Sequence, residues 1–446
     1  MRLKQLLALA AIGALTFAGC SSGDSGSGAS SGASTGSDTQ TSESAPPAET
    51  STTTDVEVFT WWTSGSEALG LEALQGVLAT KYPDVTFING GVTGGGGSAK
   101  ELLQTRLQAG DPPDSFQVHA GAEAQDYIAA GQVTDVSYLY DEFGLTNVFP
   151  SSLIDLLTSE GKIYTIPSNV HRANVLWASV SMLEKCGLST TDAYYKSVAE
   201  FIAALDTCQA AGVDTPLAVG NTWTQVHLME TILIGDLGGE AYNGLFDGTT
   251  DWASAEVTAA LKDFATLMGY TNADRDTIDW EPATQKVLDG EAVFNIMGDW
   301  VPALLDSNNL VAGTDYLYAP SPGTEGVFDF LADSFSLTVG APHPDGAKAW
   351  LDVISSVDGQ IAFNKVKGSI PARTDIDLKS EGFSDYQQSS AAAFADNLIV
   401  GSIQHGAAAT IAQGNAANAA VSEFTTSAMG DAEIATLQAA LVAAFA

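Results

Sequence analysis

Basic side chains are scarce here: 17 Lys and Arg stand against 54 Asp and Glu in 446 residues, a formal net charge of −37. Such a surplus repels phosphate backbones and anionic headgroups, which excludes nucleic acid as a partner and membrane binding by charge. It favours solubility and selects no ligand. Histidine is also scarce. His119, His171, His227, His343 and His405 include no pair close in sequence, and no Cys-x-x-Cys occurs. That spacing gives no metal signature, so the reading is no metal and no cofactor. The acidic loop Asp274, Asp276, Asp279 lacks the glycine and terminal glutamate of a calcium loop. Beyond the leader no apolar run could span a bilayer, and no internal repeat is found.

Cysteine is limited to Cys20, Cys186 and Cys208. Arg2 and Lys4 precede an apolar run over 6–15, so residues 1–19 read as a signal peptide. Phe17-Ala18-Gly19-Cys20 resembles a bacterial lipobox, which implies lipidation of Cys20. The expectation is an exported protein held at the outer face of the cytoplasmic membrane through that lipid; ordinary signal-peptidase cleavage nearby is the alternative. Residues 20–54 are Ser, Thr and Gly with a few acids and read as a disordered linker. Gly23-Asp24-Ser25-Gly26 copies a serine-protease tetrapeptide, but a flexible tether holds no partner for Ser25. Cys186 and Cys208, an even pair in an exported chain, read as a disulfide or as two buried thiols.

The stretch after the linker is the most informative. Residues 56–60 alternate as a β-strand and run into Trp61 and Trp62. Ser64 followed by Glu67 has the form of a helix capping box, and Leu69, Leu71, Leu74, Val77 and Leu78 continue with helical spacing. Strand, aromatic turn and helix put Trp61, Trp62 and Glu67 at the carboxyl end of a strand, where open α/β sheets bind ligands. An indole face beside a carboxylate suits a sugar: C–H groups stack on the ring and hydroxyls donate to the acid. Glu67 therefore has two readings, cap or hydroxyl acceptor.

A parallel α/β order follows: strand 85–88, glycine-rich turn 89–97, helix 98–108, strand Ser115–His119, helix 122–130. The glycine run continues as Gly97-Ser98-Ala99-Lys100 rather than the Gly-Lys-Ser/Thr of a phosphate loop. Pro167 and the polar run to Trp177 suggest a crossing between lobes, with His171 and Arg172 bracing it. Ser197 and Glu200 form a second capping box. Later come a strand at 215–219, an amphipathic helix at 257–268, and a strand at 292–297 ending in Gly298-Asp299-Trp300. An extended run at 330–339, helices at 347–357 and 359–366, and a helical alanine-rich C-terminus complete the order.

Eight landmarks in this order resemble the extracellular solute-binding proteins of ABC importers, within them the glucose-type monosaccharide binders. They are WWTSGSE at Trp61, GGGG at Gly94, DPPDSFQVHAG at Asp111, PSNVHRANVLW at Pro167, TPLAVGNTW at Thr215, MGDW at Met297, FNKVKGSIPARTD at Phe363 and GSIQHGAA at Gly401. The resemblance implies an α/β, two-lobed periplasmic-binding-protein-like (type II) fold with discontinuous lobes and a hinge. One lobe would comprise 55–166 and 335–366, the other 167–334 and 367–446. It implies a monosaccharide ligand, glucose first, ABC permease subunits as partners, a monomer, and no catalysis. Carried over residue by residue, Trp62 would stack on the sugar with Trp61 beside it, Glu67 and Asp299 would accept from hydroxyls, and Lys367 and His405 would donate. Gln117 and His119 would line the cleft, and Trp223 and Trp280 would wall it. The rival from another class is a glycoside hydrolase with Glu67 and Asp299 as its acid pair, about 5 to 9.5 Å apart; a sugar sensor or adhesin is the third.

Overall fold

The computed structural model describes residues 55–446 apart from Gly94. The signal peptide 1–19, lipidation at Cys20 and the linker 20–54 lie outside the described residues, as does the first glycine of the GGGG turn.

Two sheets with separate cores organise this chain. The first has five strands in the order Thr86–Gly91, Asp55–Thr60, Ser115–His119, Asp333–Ser336, Thr165–Pro167. The first three are parallel, joined by the helices Gly65–Lys81 and Gly95–Ala109. Asp333–Ser336 runs antiparallel to both its neighbours, with Asp333 opposite His119. Helices Pro344–Ser355 and Val357–Lys367 cover this sheet, and Trp62, Phe116, Phe335, Trp350 and Phe363 fill its core. The second sheet has the order Tyr316–Pro320, Val175–Ser179, Phe294–Ile296, Leu217–Ala218. Its core takes in Phe201, Leu228, Phe264 and Leu437 from the surrounding helices.

A third sheet joins the two. Val327–Leu331 lies between Leu398–Gly401 and His171–Arg172. Side chains alternate across a strand. Phe328 and Phe330 accordingly belong to the first core, while Val327 belongs to the second. Chain passes from this junction into the first sheet at Ala332, so the run read as one extended segment over 330–339 is two strands. The first sheet takes in Asp333 and Ser334, two residues ahead of position 335, because Asp333 pairs with His119 and Ser334 with Val118. Ile370 and Ala372 also pack in the first core, beyond position 366, through a bridge from Ile370 to Val170.

Local signals met mixed outcomes. Ser64 is the N-cap of its helix but makes no side-chain cap bond; Glu67 points elsewhere, as described below. Ser197 does cap, accepting from Glu200 N. Cys186 and Cys208 are joined as a disulfide between the helices Val180–Cys186 and Val198–Ala210. No helix among the described residues is long and apolar enough to cross a membrane.

Candidate sugar-binding cleft

A cavity of about 940 Å³ opens between the two main sheets, lined from both sides. Its polar floor is Asp333, at the start of the antiparallel strand. Gln117 Nε2 donates to Asp333 Oδ1 at 2.7 Å and Asn169 Nδ2 to Oδ2 at 2.8 Å. The Nε2 atoms of His119 and His171 stand 3.8 and 3.6 Å from the same carboxylate. Burial pushes the Asp333 carboxyl up, but His119, His171 and Lys367 outweigh it and leave it below its ordinary value. Asp333 is therefore an ionised acceptor at the centre of the cleft.

Two ion pairs flank it. Glu123 Oε2 receives Lys100 Nζ at 2.7 Å and His119 Nδ1 at 2.8 Å. The Nδ1–H bond leaves His119 Nε2 facing the cavity. Opposite, Lys367 Nζ lies 3.1 Å from Glu67 Oε1 and 5.6 Å from the ring centre of Trp300.

The apolar wall centres on Trp300. Its ring lies within 6.4 Å of the rings of Trp223, Trp280, His171, His227 and His405. Gly298 makes this possible: a Cβ there would sit 2.1 Å from the Trp300 ring. Trp223 is fixed by an indole N–H bond to Asp279, which also accepts from Trp280 N, each at 2.8 Å. On the other side Trp61 lies against His119, centroids 5.0 Å apart, with Lys100 Nζ over its ring.

Of the ten residues expected in the cleft, Trp61, Glu67, His119, Trp223, Trp280, Lys367 and His405 line it. Trp62, Gln117 and Asp299 do not. Trp62 is turned into the first core, stacked on Phe363 at 4.6 Å and edge-on to Phe335. Gln117 is buried behind Asp333, where its Oε1 also accepts from Thr60 Oγ1 at 2.5 Å. Asp299 is fully buried and accepts from His171 Nδ1 and from Arg172 N. His171, expected only to brace the crossing, lines the cavity, and its buried Nε2 has no hydrogen-bond partner among the described residues.

Asp333, Trp300, Lys100 and Glu123 were missed. Asp333 stands in an apolar stretch with no motif around it, though a lone acid between Leu331 and Phe335 is itself a signal. In the MGDW landmark it is Trp300, next to Asp299, that lines the cavity. Histidines far apart in sequence also meet: His227 Nδ1 and His405 Nε2 are 3.2 Å apart, 178 positions apart in the chain.

Residues 65–361 match the family model of bacterial extracellular solute-binding proteins. The chain belongs to that family. An ABC transporter extracellular-binding protein of Pyrococcus horikoshii is 33% identical over 432 residues, covering 96% of this chain and 93% of that one. A xylose/arabinose-binding protein of Haloferax volcanii is 31% identical over 331 residues, 72% of this chain and 70% of its relative. Among solved structures, a chitin oligosaccharide binding protein superposes with a TM-score of 0.75 at 19% identity, covering 88% of this chain and 98% of that one; this likeness is one of fold. A solute-binding protein of this family binds and releases its ligand and is not an enzyme. Asp299 is fully buried on His171 and Arg172, so it cannot face Glu67 across a glycosidic bond.

Proposed function

We propose that the protein captures a monosaccharide, glucose first, in the cleft between its lobes and delivers it to the permease of an ABC importer. The observation that carries this reading is that Asp333, Trp300 and Trp61 line one cavity. An ionised acceptor in a cavity that also exposes indoles suits a ring with hydroxyls on its edge and C–H groups on its faces. Glu67, Lys367, His119 and His405 add donors and acceptors around the ring, while Trp62, Gln117 and Asp299 support them from behind. The name of the Haloferax relative favours monosaccharides and keeps pentoses in view. Closure of the lobes about the junction sheet would bring the walls onto the ligand.

The size of the cavity favours a second reading, since 940 Å³ is near the upper end of small-molecule pockets. A disaccharide fits that volume without closure. Calorimetry and tryptophan fluorescence with glucose, galactose, mannose, xylose, arabinose and maltose separate the two. Saturable binding of glucose at one site per chain supports the proposal. Binding of maltose alone replaces the ligand, and no response to any sugar overturns both readings.

In the same proposal the mature chain is a monomer tethered at the outer face of the cytoplasmic membrane through a lipid on Cys20. A Cys20→Ser chain is then expected in the medium instead of the membrane fraction. Retention of that variant on membranes would count against the anchor.

A further inference from the structure

We propose that His227, Glu230 and His405 form a binding site for one divalent transition-metal ion, zinc by preference, beneath the wall of the cleft. The helix Thr222–Leu237 carries His227 and Glu230 three residues apart, hence on one face. The segment after strand Leu398–Gly401 brings His405 against that face. His227 Nδ1 and His405 Nε2 are 3.2 Å apart, and Glu230 Oε1 is 3.9 Å from His227 Nδ1. All three donor atoms lie within 4.8 Å of one another. An ion about 2.05 Å from each nitrogen would see them at an angle of roughly 103°, close to tetrahedral. An approach of up to about 0.9 Å by the Glu230 oxygen completes the triad at zinc–carboxylate distances.

The surroundings are those a metal site needs. His227 Nε2 is 3.1 Å from Ala173 O and donates to it, so Nδ1 keeps its lone pair for an ion. Ser402 Oγ donates to Glu230 Oε1 at 2.7 Å and accepts from His405 N at 3.1 Å, aligning two of the three ligands. Gln404 N holds the other Glu230 oxygen at 2.9 Å. Asp329 is also fully buried, and neither of its carboxylate oxygens has a hydrogen-bond partner among the described residues. Two imidazoles and one carboxylate suit zinc, copper or nickel rather than calcium or magnesium, which take oxygen ligands. Of the three, His405 lines the cavity while His227 and Glu230 lie behind it.

The alternative is a plain pair in which His405 Nε2–H donates to His227 Nδ1. Zinc titration of the chelator-stripped full chain by calorimetry separates the two, with cobalt(II) as a spectroscopic substitute. One zinc per chain is expected. Cobalt should show the intense visible bands of four-coordination, not the weak bands of six-coordinate oxygen ligation that an acidic surface would give. Glu230→Gln and His405→Gln should each weaken zinc binding at least tenfold and remove the cobalt bands. His405 is partly exposed, so its variant remains informative should Glu230→Gln fail to fold. No zinc uptake by the folded wild type, weak six-coordinate bands, or zinc binding unchanged by His405→Gln would overturn the site. These readouts involve no sugar and stand apart from the ligand reading above.

Discussion

Lys367 Nζ and Glu67 Oε1 meet at 3.1 Å although 300 positions separate them. Lys367 ends the helix Val357–Lys367, and Glu67 lies in the first turn of Gly65–Lys81; the two helices pack side by side under the first sheet. The lysine side chain is only 2% exposed. A buried ammonium without its carboxylate is strongly disfavoured, so Glu67 holds Lys367 ready at the cleft instead of capping its own helix.

Both partners should therefore matter to ligand binding, and not independently. Lys367→Met and Glu67→Gln are each expected to weaken the affinity for the best sugar at least tenfold, about 1.4 kcal/mol. The double variant should lose less than the sum of the two, because each single change already breaks the pair. A calorimetric double-mutant cycle measures this. Strict additivity would mean that the two side chains contact the sugar separately.

Trp62 gives the opposite pattern. Its indole is 1% exposed and packs on Phe363 and Phe335 in the first core. Trp62→Ala is expected to destabilise the fold by about 3 to 5 kcal/mol, the usual cost of removing a large buried ring. Trp62→Phe should lower the melting temperature but keep sugar affinity within a factor of about three, since no Trp62 atom faces the cleft. A tenfold affinity loss in a folded Trp62→Phe protein would put the ring back at the ligand.

Glu123 predicts the acid limit of stability. Burial would push its carboxyl up, but Lys100 and His119 outweigh that and hold it down to about 2. A folded-state value below the unfolded one makes the ionised form the stabilising one. The contribution is complete above about pH 4.5 and is lost as pH falls toward 2. With the ordinary value at 4.5, it amounts to roughly 3 kcal/mol. Urea unfolding at pH 7, 4 and 3 should show this loss in the wild type. Glu123→Gln should be less stable at pH 7 and should lose less on acidification. Parallel acid profiles for the two proteins would exclude Glu123 as the source.

How legible all this was in the sequence follows from what each signal reports. Strand alternation, helical spacing and the ordered landmarks report local backbone and topology, so the first strand, the parallel order and the two-lobed fold were readable. Side-chain direction at a strand end is a matter of which face of the turn each residue occupies. Adjacent tryptophans must diverge there, and only Trp61 reaches the cleft. Polar pairs between distant segments, such as Asp333 with Gln117, or His227 with His405, join residues 216 and 178 positions apart. Nothing in local pattern encodes such a meeting. Asp299 was misplaced for a related reason: a motif aspartate next to a tryptophan looks like a ligand contact, whereas its burial depends on the distant His171.

That placement of Asp299 sets a last expectation. Its carboxylate accepts two bonds, one oxygen from His171 Nδ1 and the other from Arg172 N. Asparagine has the same shape but only one acceptor atom, so Asp299→Asn must leave one of these buried donors facing an NH₂ group. The expected loss of stability is about 2 kcal/mol, in the range for a charged hydrogen bond. Sugar affinity should fall as well, because His171 loses the contact that fixes its Nδ1–H tautomer and keeps Nε2 toward the cleft. Nitrogen-15 chemical shifts of the His171 ring separate this from general loosening. In the wild type they should report a proton on Nδ1, and in the variant a mixture of tautomers. If the variant binds more weakly while the ring shifts stay unchanged, Asp299 acts on the cleft by some route other than His171.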